Sequence, residues 1–209
     1  MQRILIADDH SVVRKGLRQI LLEGFPSAVI EEVADAEDMI KKVIAADWDV
    51  VISDLSMPGR SGLEALQQIK QIQPKLPVLI LSIHPEEQYA IRVLKSGAAG
   101  YLSKDLAPEE LVNAVQRVML GKKYITPAVA EKLAEVFDQG NNKAPHELLS
   151  DREFSVLKML AKGKTVSEIA ESMFLSVTTV STYRSRIMSK MNLKSNADLT
   201  LYSIEHNLM

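Results

Sequence analysis

Cysteine is absent from the 209 residues, and Phe, Tyr and Trp together make up only 5% of them. Without a thiol the chain offers neither a disulfide scaffold nor cysteine-ligated metal, and a cytoplasmic location is expected. No apolar run reaches the ~18 residues of a membrane span. The N-terminus, MQRILIADDH, turns acidic where a secretory segment would stay apolar, so neither membrane insertion nor export is expected. What is present is 46% hydrophobic and 25% charged residues with a net charge of −2. That composition excludes disorder and fibrous repeats and suits one large domain or two small ones.

The charge is unevenly spread. Residues 1–121 hold 13 Lys+Arg against 17 Asp+Glu, whereas 122–209 hold 12 against 10. Within the second part, Ser176 to Lys194 carries Arg184, Arg186, Lys190 and Lys194 and no acid. A local excess of that kind is a candidate nucleic-acid surface.

Periodicity divides the chain at the same place. Short apolar runs at Ile4 to Ala7, Val29 to Val33, Val50 to Ser53, Val78 to Ser82 and Gly100 to Leu102 alternate with stretches of helical spacing. Five rounds of strand then helix predict a doubly wound parallel sheet covered on both faces. Ser11 and Asp35 are placed to cap the first two helices, Pro108 suits the first turn of the fifth, and Gly24, Gly97 and Gly121 suit helix ends. A helical pattern from Pro127 to about Asp138 and a Gly/Asn/Pro-bearing stretch to Pro145 read as a linker with one helix over 122–147. Four short helices follow, at Asp151 to Ala161, Val166 to Met173, Val177 to Met191 and Asn196 to about His206. A small all-α domain over 148–209 is expected.

In an open parallel sheet the carboxyl ends of the strands form one edge, and ligands bind there. Asp8 and Asp9 end the first predicted strand, Asp54 the third, Ser82 the fourth, and Lys104 follows the fifth. Three carboxylates in one pocket repel unless something positive joins them. An oxygen-only donor set points to Mg²⁺, which keeps waters and leaves room for a phosphoryl group. His10 and His84 stand beside strands as loop or cap residues and read as structural or solvent-facing, not as ligands or phosphoacceptors.

Residues 1–121 resemble the receiver domain of bacterial response regulators. The resemblance rests on Asp8 and Asp9 in ILIADDH, Asp54 in VVISDLSMPGRSG, Ser82 in VLILSIH, and Tyr101 with Lys104 in GYLSKD. It implies a flavodoxin-like five-stranded fold and phosphoryl transfer from a histidine kinase to Asp54. The resemblance further implies Mg²⁺ on Asp9, Asp54 and the Ser56 main-chain carbonyl with Asp8 assisting, catalysis by Asp54, Ser82 and Lys104, and a switch in which Ser82 moves and Tyr101 rotates into the space vacated. Ile83 follows Ser82 where the family often has Ala or Gly, so slow reaction with small phosphodonors is expected.

On the basic helix, Val180, Ile187 and Met191 form an apolar stripe, so Thr178, Thr182, Ser185 and Ser189 point the opposite way, flanked by Ser181 and Arg186. Hydroxyls and a threonine methyl can meet base edges in a major groove, while Arg186, Lys190 and Lys194 suit phosphates. Ser176 is a cap. Arg184 falls on the core side as a rim residue, and Tyr183 is divided between packing and phosphate. The segment LLSDREFSVLKMLAKGKTVSEIAESMFLSVTTVSTYRSRIMSKMNLKSNADL resembles the LuxR-type helix-turn-helix of the NarL/FixJ class, with Thr179, Tyr183 and Lys190 in register. The two resemblances imply a two-component transcriptional regulator that binds double-stranded DNA and forms a homodimer when phosphorylated, and that is not itself an enzyme.

Three other functions bear comparison. An aspartyl-phosphate hydrolase on a similar sheet wants its two acids at i and i+2 after one strand, whereas Asp8 and Asp9 are adjacent. A phosphorylation-independent DNA-binding regulator, using its receiver only for dimerisation, typically loses an acid or the lysine, and this chain keeps all of them. A helical domain that binds protein or RNA would lack a large preference for duplex DNA.

Overall fold

The computed structural model describes residues 1–138 and 144–208. The chain divides into two compact units, Met1–Asp138 and Gln139–Met209. Residues 139–143 of the expected linker, and the terminal Met209, lie outside the described residues.

The first unit is built on five strands: β1 (Arg3–Ala7), β2 (Val29–Val33), β3 (Val50–Asp54), β4 (Val78–Ser82) and β5 (Gly100–Ser103). All pair in parallel in the order β2-β1-β3-β4-β5, a flavodoxin-like arrangement. Strands β3 and β4 are buried along their whole length, as central strands between two helical layers must be. Edge strand β2 is buried only at Ile30 and Val33, and spends Glu31 on Lys42, 2.7 Å away, and on Arg3. Charge on an edge discourages further strand pairing.

The helices of this unit are α1 (Ser11–Gly24), α2 (Ala36–Ala45), α3 (Gly62–Ile72), α4 (Glu86–Lys95), α5 (Ala107–Met119) and α6 (Pro127–Asp138). Helices α1 and α5 pack together against Ile4, Ile6, Val50, Ile52, Leu79 and Leu81. The alternate residues Leu5, Val51 and Ile80 are fully buried on the other face, where α2 packs beside α3. Each fully buried aliphatic side chain contributes about 1.5–3 kcal/mol, which is what holds the layers together.

Asp35 caps α2 as expected, accepting from Asp38 N–H at 2.8 Å. Pro108 sits in the first turn of α5. Ser11 is not a cap: α1 begins one residue earlier, at a His10 N-cap with no side-chain bond. The segment 122–126, assigned by sequence to the linker, is pinned to the first unit. Tyr124 N–H donates to Ala99 O at 2.9 Å, and Thr126 Oγ1 donates to Glu86 Oε2 at 2.8 Å. Helix α6 packs on α4, so its place is with the sheet and not between the units.

The second unit comprises α7 (Asp151–Ala161), α8 (Val166–Ser172), α9 (Val177–Met191) and α10 (Asn196–Glu205). Their bounds agree with the sequence pattern to within a residue at each end. Capping explains the agreement: Ser150, Thr165, Ser176 and Ser195 each accept a hydrogen bond from the backbone N–H three residues on. Phe154, Val156, Leu157, Ile169, Val180, Ile187 and Leu199 form the buried centre.

One close approach in the first unit prepares the functional edge. Helix α3 starts against the end of β3, and a Cβ on Gly62 would lie 1.9 Å from the Asp54 carbonyl oxygen. Gly62 N–H donates to Leu55 O at 3.0 Å, fixing the loop that leaves Asp54. Gly62→Ala must therefore push α3 off the strand. We expect a stability loss of about 1–3 kcal/mol, measured by urea denaturation; an unchanged midpoint would show that α3 can shift freely.

Candidate functional site

The parallel sheet brings the expected residues to one edge. Asp8 follows β1, Asp54 ends β3, Ser82 ends β4, and Lys104 follows β5. Lys104 is tipped back over that edge by a 3-10 turn over Lys104–Leu106, which Ser103 starts by accepting from Asp105 N–H at 3.3 Å. Its ammonium lies 2.6 Å from Asp8 Oδ2 and 3.0 Å from Asp54 Oδ2. Asp8 is 1% exposed and Asp54 4%.

Burial pushes the Asp54 carboxyl above its ordinary range, and the charge of Asp8 acts in the same direction; Lys104 pulls the other way. For Lys104, burial opposes the charged form, but its bond to Asp8 and the charge of Asp54 outweigh this and leave it above the usual lysine value. The cluster is thus two buried carboxylates joined by one cation. Asp9 is 28% exposed, with Oδ1 at 2.8 Å from His10 Nδ1. Ligand atoms of Asp8, Asp9, His10 and Asp54 lie within 4.8 Å of one another, close enough to share a metal ion.

The site loops converge on a residue that sequence reading treated as structural. His84 N–H donates to Ser82 Oγ at 3.0 Å, its carbonyl accepts from Tyr101 OH at 2.7 Å, and its Nε2 lies 3.2 Å from Ser56 Oγ. Its ring stacks on Tyr89 at 4.9 Å. Tyr101 is 2% exposed, so the inward position expected only after a switch is already occupied. Burial raises its phenol well above the ordinary value. Ser56 is exposed and donates its N–H to Asp54 Oδ1 at 3.2 Å. Ile83, expected to crowd the pocket, is 69% exposed.

The second unit carries the other candidate surface, on α9. Val180, Ile187 and Met191 are buried, and Thr178, Ser181, Thr182, Ser185, Arg186, Ser189 and Lys194 are exposed, as the helical wheel requires. Thr179 is half-buried and tied to the cap, with Oγ1 at 2.8 Å from Ser176 Oγ. Thr182 donates its hydroxyl to Thr178 O at 2.9 Å, leaving a methyl and an acceptor for a ligand. Tyr183 is half-buried. Arg184 Nε donates to Asn196 Oδ1 at 3.0 Å, a rim contact with an amide.

Lys190 departs from expectation most clearly. Its Nζ lies 2.7 Å from Glu153 Oε2, and Glu153 is buried at the start of α7, where it also accepts from Ser150 N–H at 2.7 Å. The pattern Ser150-x-x-Glu153 announces a capping box in sequence, but the partner on α9 is a tertiary contact that no spacing reveals. Lys190 docks one helix of the unit on another, so a free phosphate contact is not its resting role.

Two family descriptions match the chain: "Response regulator receiver domain" over residues 4–116 and "Bacterial regulatory proteins, luxR family" over 147–203. The response regulator UvrY of Escherichia coli is 38% identical over 209 residues, covering 100% of this chain and 96% of its own. The oxygen regulatory protein NreC of Staphylococcus carnosus is 39% identical over 214 residues, covering 99% of each. Among solved structures, RcsB from Salmonella enterica serovar Typhimurium, bound to promoter rprA in the presence of phosphomimetic BeF3−, superposes with a TM-score of 0.64. It is 27% identical and is matched over 96% of this chain and 97% of its own.

The Glu153–Lys190 pair has a checkable pH dependence. Its bonds to Lys190 and Ser150 outweigh burial and hold the Glu153 carboxyl below the ordinary carboxylate range. A depressed folded value gives stability that is present above the unfolded value and is lost as pH falls through the folded one. Lys190→Ala should cost about 1–3 kcal/mol at neutral pH, half-exposure of the lysine keeping it below a fully buried pair. In thermal melts the variant and the wild type should converge as the pH is lowered into the acid range; equal melting at neutral pH would show that the pair contributes nothing.

Proposed function

The chain belongs to the response regulator family, joining a receiver domain to a luxR-type DNA-binding domain, and on that premise we propose that Asp54 accepts a phosphoryl group from a histidine kinase to control transcription. The observation that carries this reading is the buried pairing of Asp54 and Asp8 with Lys104 at the carboxyl edge of the sheet. An aspartate so placed is a nucleophile whose phosphorylated form finds a cation waiting.

The donor set fits a hard divalent cation. Asp8 Oδ2 and Asp9 Oδ1 are buried atoms that meet Lys104 at 2.6 Å and His10 at 2.8 Å, and every ligand atom of the cluster is oxygen apart from His10. Asp9, Asp54 and the Ser56 carbonyl would hold Mg²⁺, with Asp8 assisting; when bound, the ion supplies charge neutralisation on the transferring group. Asp54 provides the attacking oxygen, and Lys104 exchanges carboxylate for phosphoryl oxygen. Ser82 turns its hydroxyl toward the new group, and the Ser82, His84 and Tyr101 bonds make the β4–α4 loop move with it. A switch of this kind needs about 5.5 kcal/mol of preference to go from 1:99 to 99:1, much of which charge-assisted bonds to Ser82 and Lys104 can supply.

Phosphorylation would favour a homodimer, bringing two α9 helices to half-sites about one helical turn apart on duplex DNA in the cytoplasm. Thr178, Ser181, Thr182, Ser185 and Arg186 form the face offered to base edges and nearby phosphates. Thr179 and Tyr183 support that face from its edge, and Lys194 meets phosphate at the far end of α9. RcsB bound to promoter DNA supports this use of the domain by likeness.

The direct test is intact mass and oligomeric state with Mg²⁺ and acetyl phosphate or beryllofluoride. Wild type should gain one phosphoryl group with acetyl phosphate and shift from monomer to dimer with either reagent, and Asp54→Asn should do neither. Operator binding unaltered by Asp54→Asn would instead establish a phosphorylation-independent regulator. On the DNA side, Thr182→Ala or Ser185→Ala should relax base preference by about 1 kcal/mol at one position, read by binding to single-base operator variants; uniform weakening across sequences would take these residues off the base edges.

A further inference from the structure

Among the described residues, six helix ends close with the same pair of backbone bonds around one residue in a left-handed conformation. Gly97, Gly121, Gly163, Asn192 and Asn207 hold that position in five of them, with φ between 51° and 99°. These are the residue types that adopt it at little cost. The sixth, ending α8, carries Phe174 at φ 54°. Phe174 N–H donates to Glu171 O at 3.2 Å and Leu175 N–H to Ala170 O at 2.9 Å, so the cap is fully formed around a residue poorly suited to it.

The phenylalanine does not recover that cost in the core. Its side chain is 78% exposed, and Val177, just beyond, is 51% exposed. Between them stands Ser176, the cap of α9, so an apolar ring borders the start of the helix whose exposed face is described above. Of the four cations between Ser176 and Lys194, Lys190 is paired with Glu153, but Arg186 and Lys194 are exposed and the segment holds no acid, which suits a polyanion.

Resting on the DNA-binding reading, we propose that Phe174 is a DNA contact: its ring packs on deoxyribose of the duplex backbone where a phosphate meets the N-terminus of α9. The surface is continuous with the polar face of α9. A sugar contact is independent of sequence and carries no charge, so it adds affinity without adding base preference or salt dependence. Strain in the isolated domain is exchanged for affinity in the complex.

The test measures binding of the full chain, with and without Mg²⁺ and beryllofluoride, to a labelled mixed-sequence duplex across a salt series. Phe174→Asn and Phe174→Gly should bind about tenfold more weakly, with the salt slope unchanged. Both should melt higher, by about 3–8 °C, because the left-handed position is relieved. Phe174→Tyr should keep wild-type affinity. Equal binding by wild type and Phe174→Asn would overturn the inference and leave the DNA-binding reading standing, whereas a wild type that binds no duplex at low salt would remove both. Reduced transcription with unchanged DNA affinity would place a protein partner on the ring and likewise overturn it.

Discussion

Two carboxylates buried a few ångströms apart cannot both stay ionised without a cation, and Lys104 supplies it. Its ammonium touches Asp8 and Asp54 at once, although the three residues come from three strand ends. The sheet order places β1 beside β3 and β5 beyond β4, so only a long side chain from the far edge can reach both acids. The 3-10 turn after β5 and the close seat of α3 on the Asp54 carbonyl hold the two ends of that span. Arg14 secures the third point by donating to the Asp8 carbonyl at 2.6 Å. Much of the first unit's loop geometry follows from keeping this one contact in place.

The same contact explains why the pocket is poised. Lys104 is shared between two acids in the resting protein, so any new anion on Asp54 competes for a charge that is already there. The adjoining loop is tied by Ser82, Tyr101 and Ser56 to different atoms of His84. In the proposed switch, movement of Ser82 toward a new partner would release the His84 N–H, and the bond from Tyr101 to the His84 carbonyl would carry that displacement to β5. With Tyr101 already inward, a change in the hydrogen-bond set and not a large ring swing is the step the structure offers.

The strands, their parallel pairing and the identity of the edge residues were legible because they rest on local signals: short continuous apolar runs separated by helical spacing, and acids at strand ends. The helices of the second unit were legible from their helical spacing and, for α9, from its Ser176 cap; the caps of the other three, Ser150, Thr165 and Ser195, were not among those expected from sequence. Tertiary partners were not. Nothing in the spacing shows that Lys190 reaches Glu153, that His84 joins three loops, or that Thr126 bonds Glu86 and carries the segment after α5 onto the first unit. Thr182 illustrates the boundary: the wheel exposed it correctly, but its hydroxyl proton is spent on Thr178 O, one turn back.

Each unit therefore keeps a buried carboxylate paired with a lysine from a distant element, and the difference between the pairs reflects their use. Glu153 is fixed from two directions, by the cap it forms with Ser150 and by Lys190, so both of its roles favour the ionised form in one geometry. Such a pair ties α9 to α7, and a helix proposed to read base edges needs fixation of this kind if its side chains are to stay in register. Asp54 has no comparable fixation: one oxygen takes a long bond from Ser56 N–H and the other shares Lys104 with Asp8. Burial raises its proton affinity where the surroundings of Glu153 lower it. A carboxylate held this loosely in a dry pocket would gain from acquiring a group that brings its own charge and partners, and it is this difference from Glu153 on which the proposed phosphoryl acceptance by Asp54 draws.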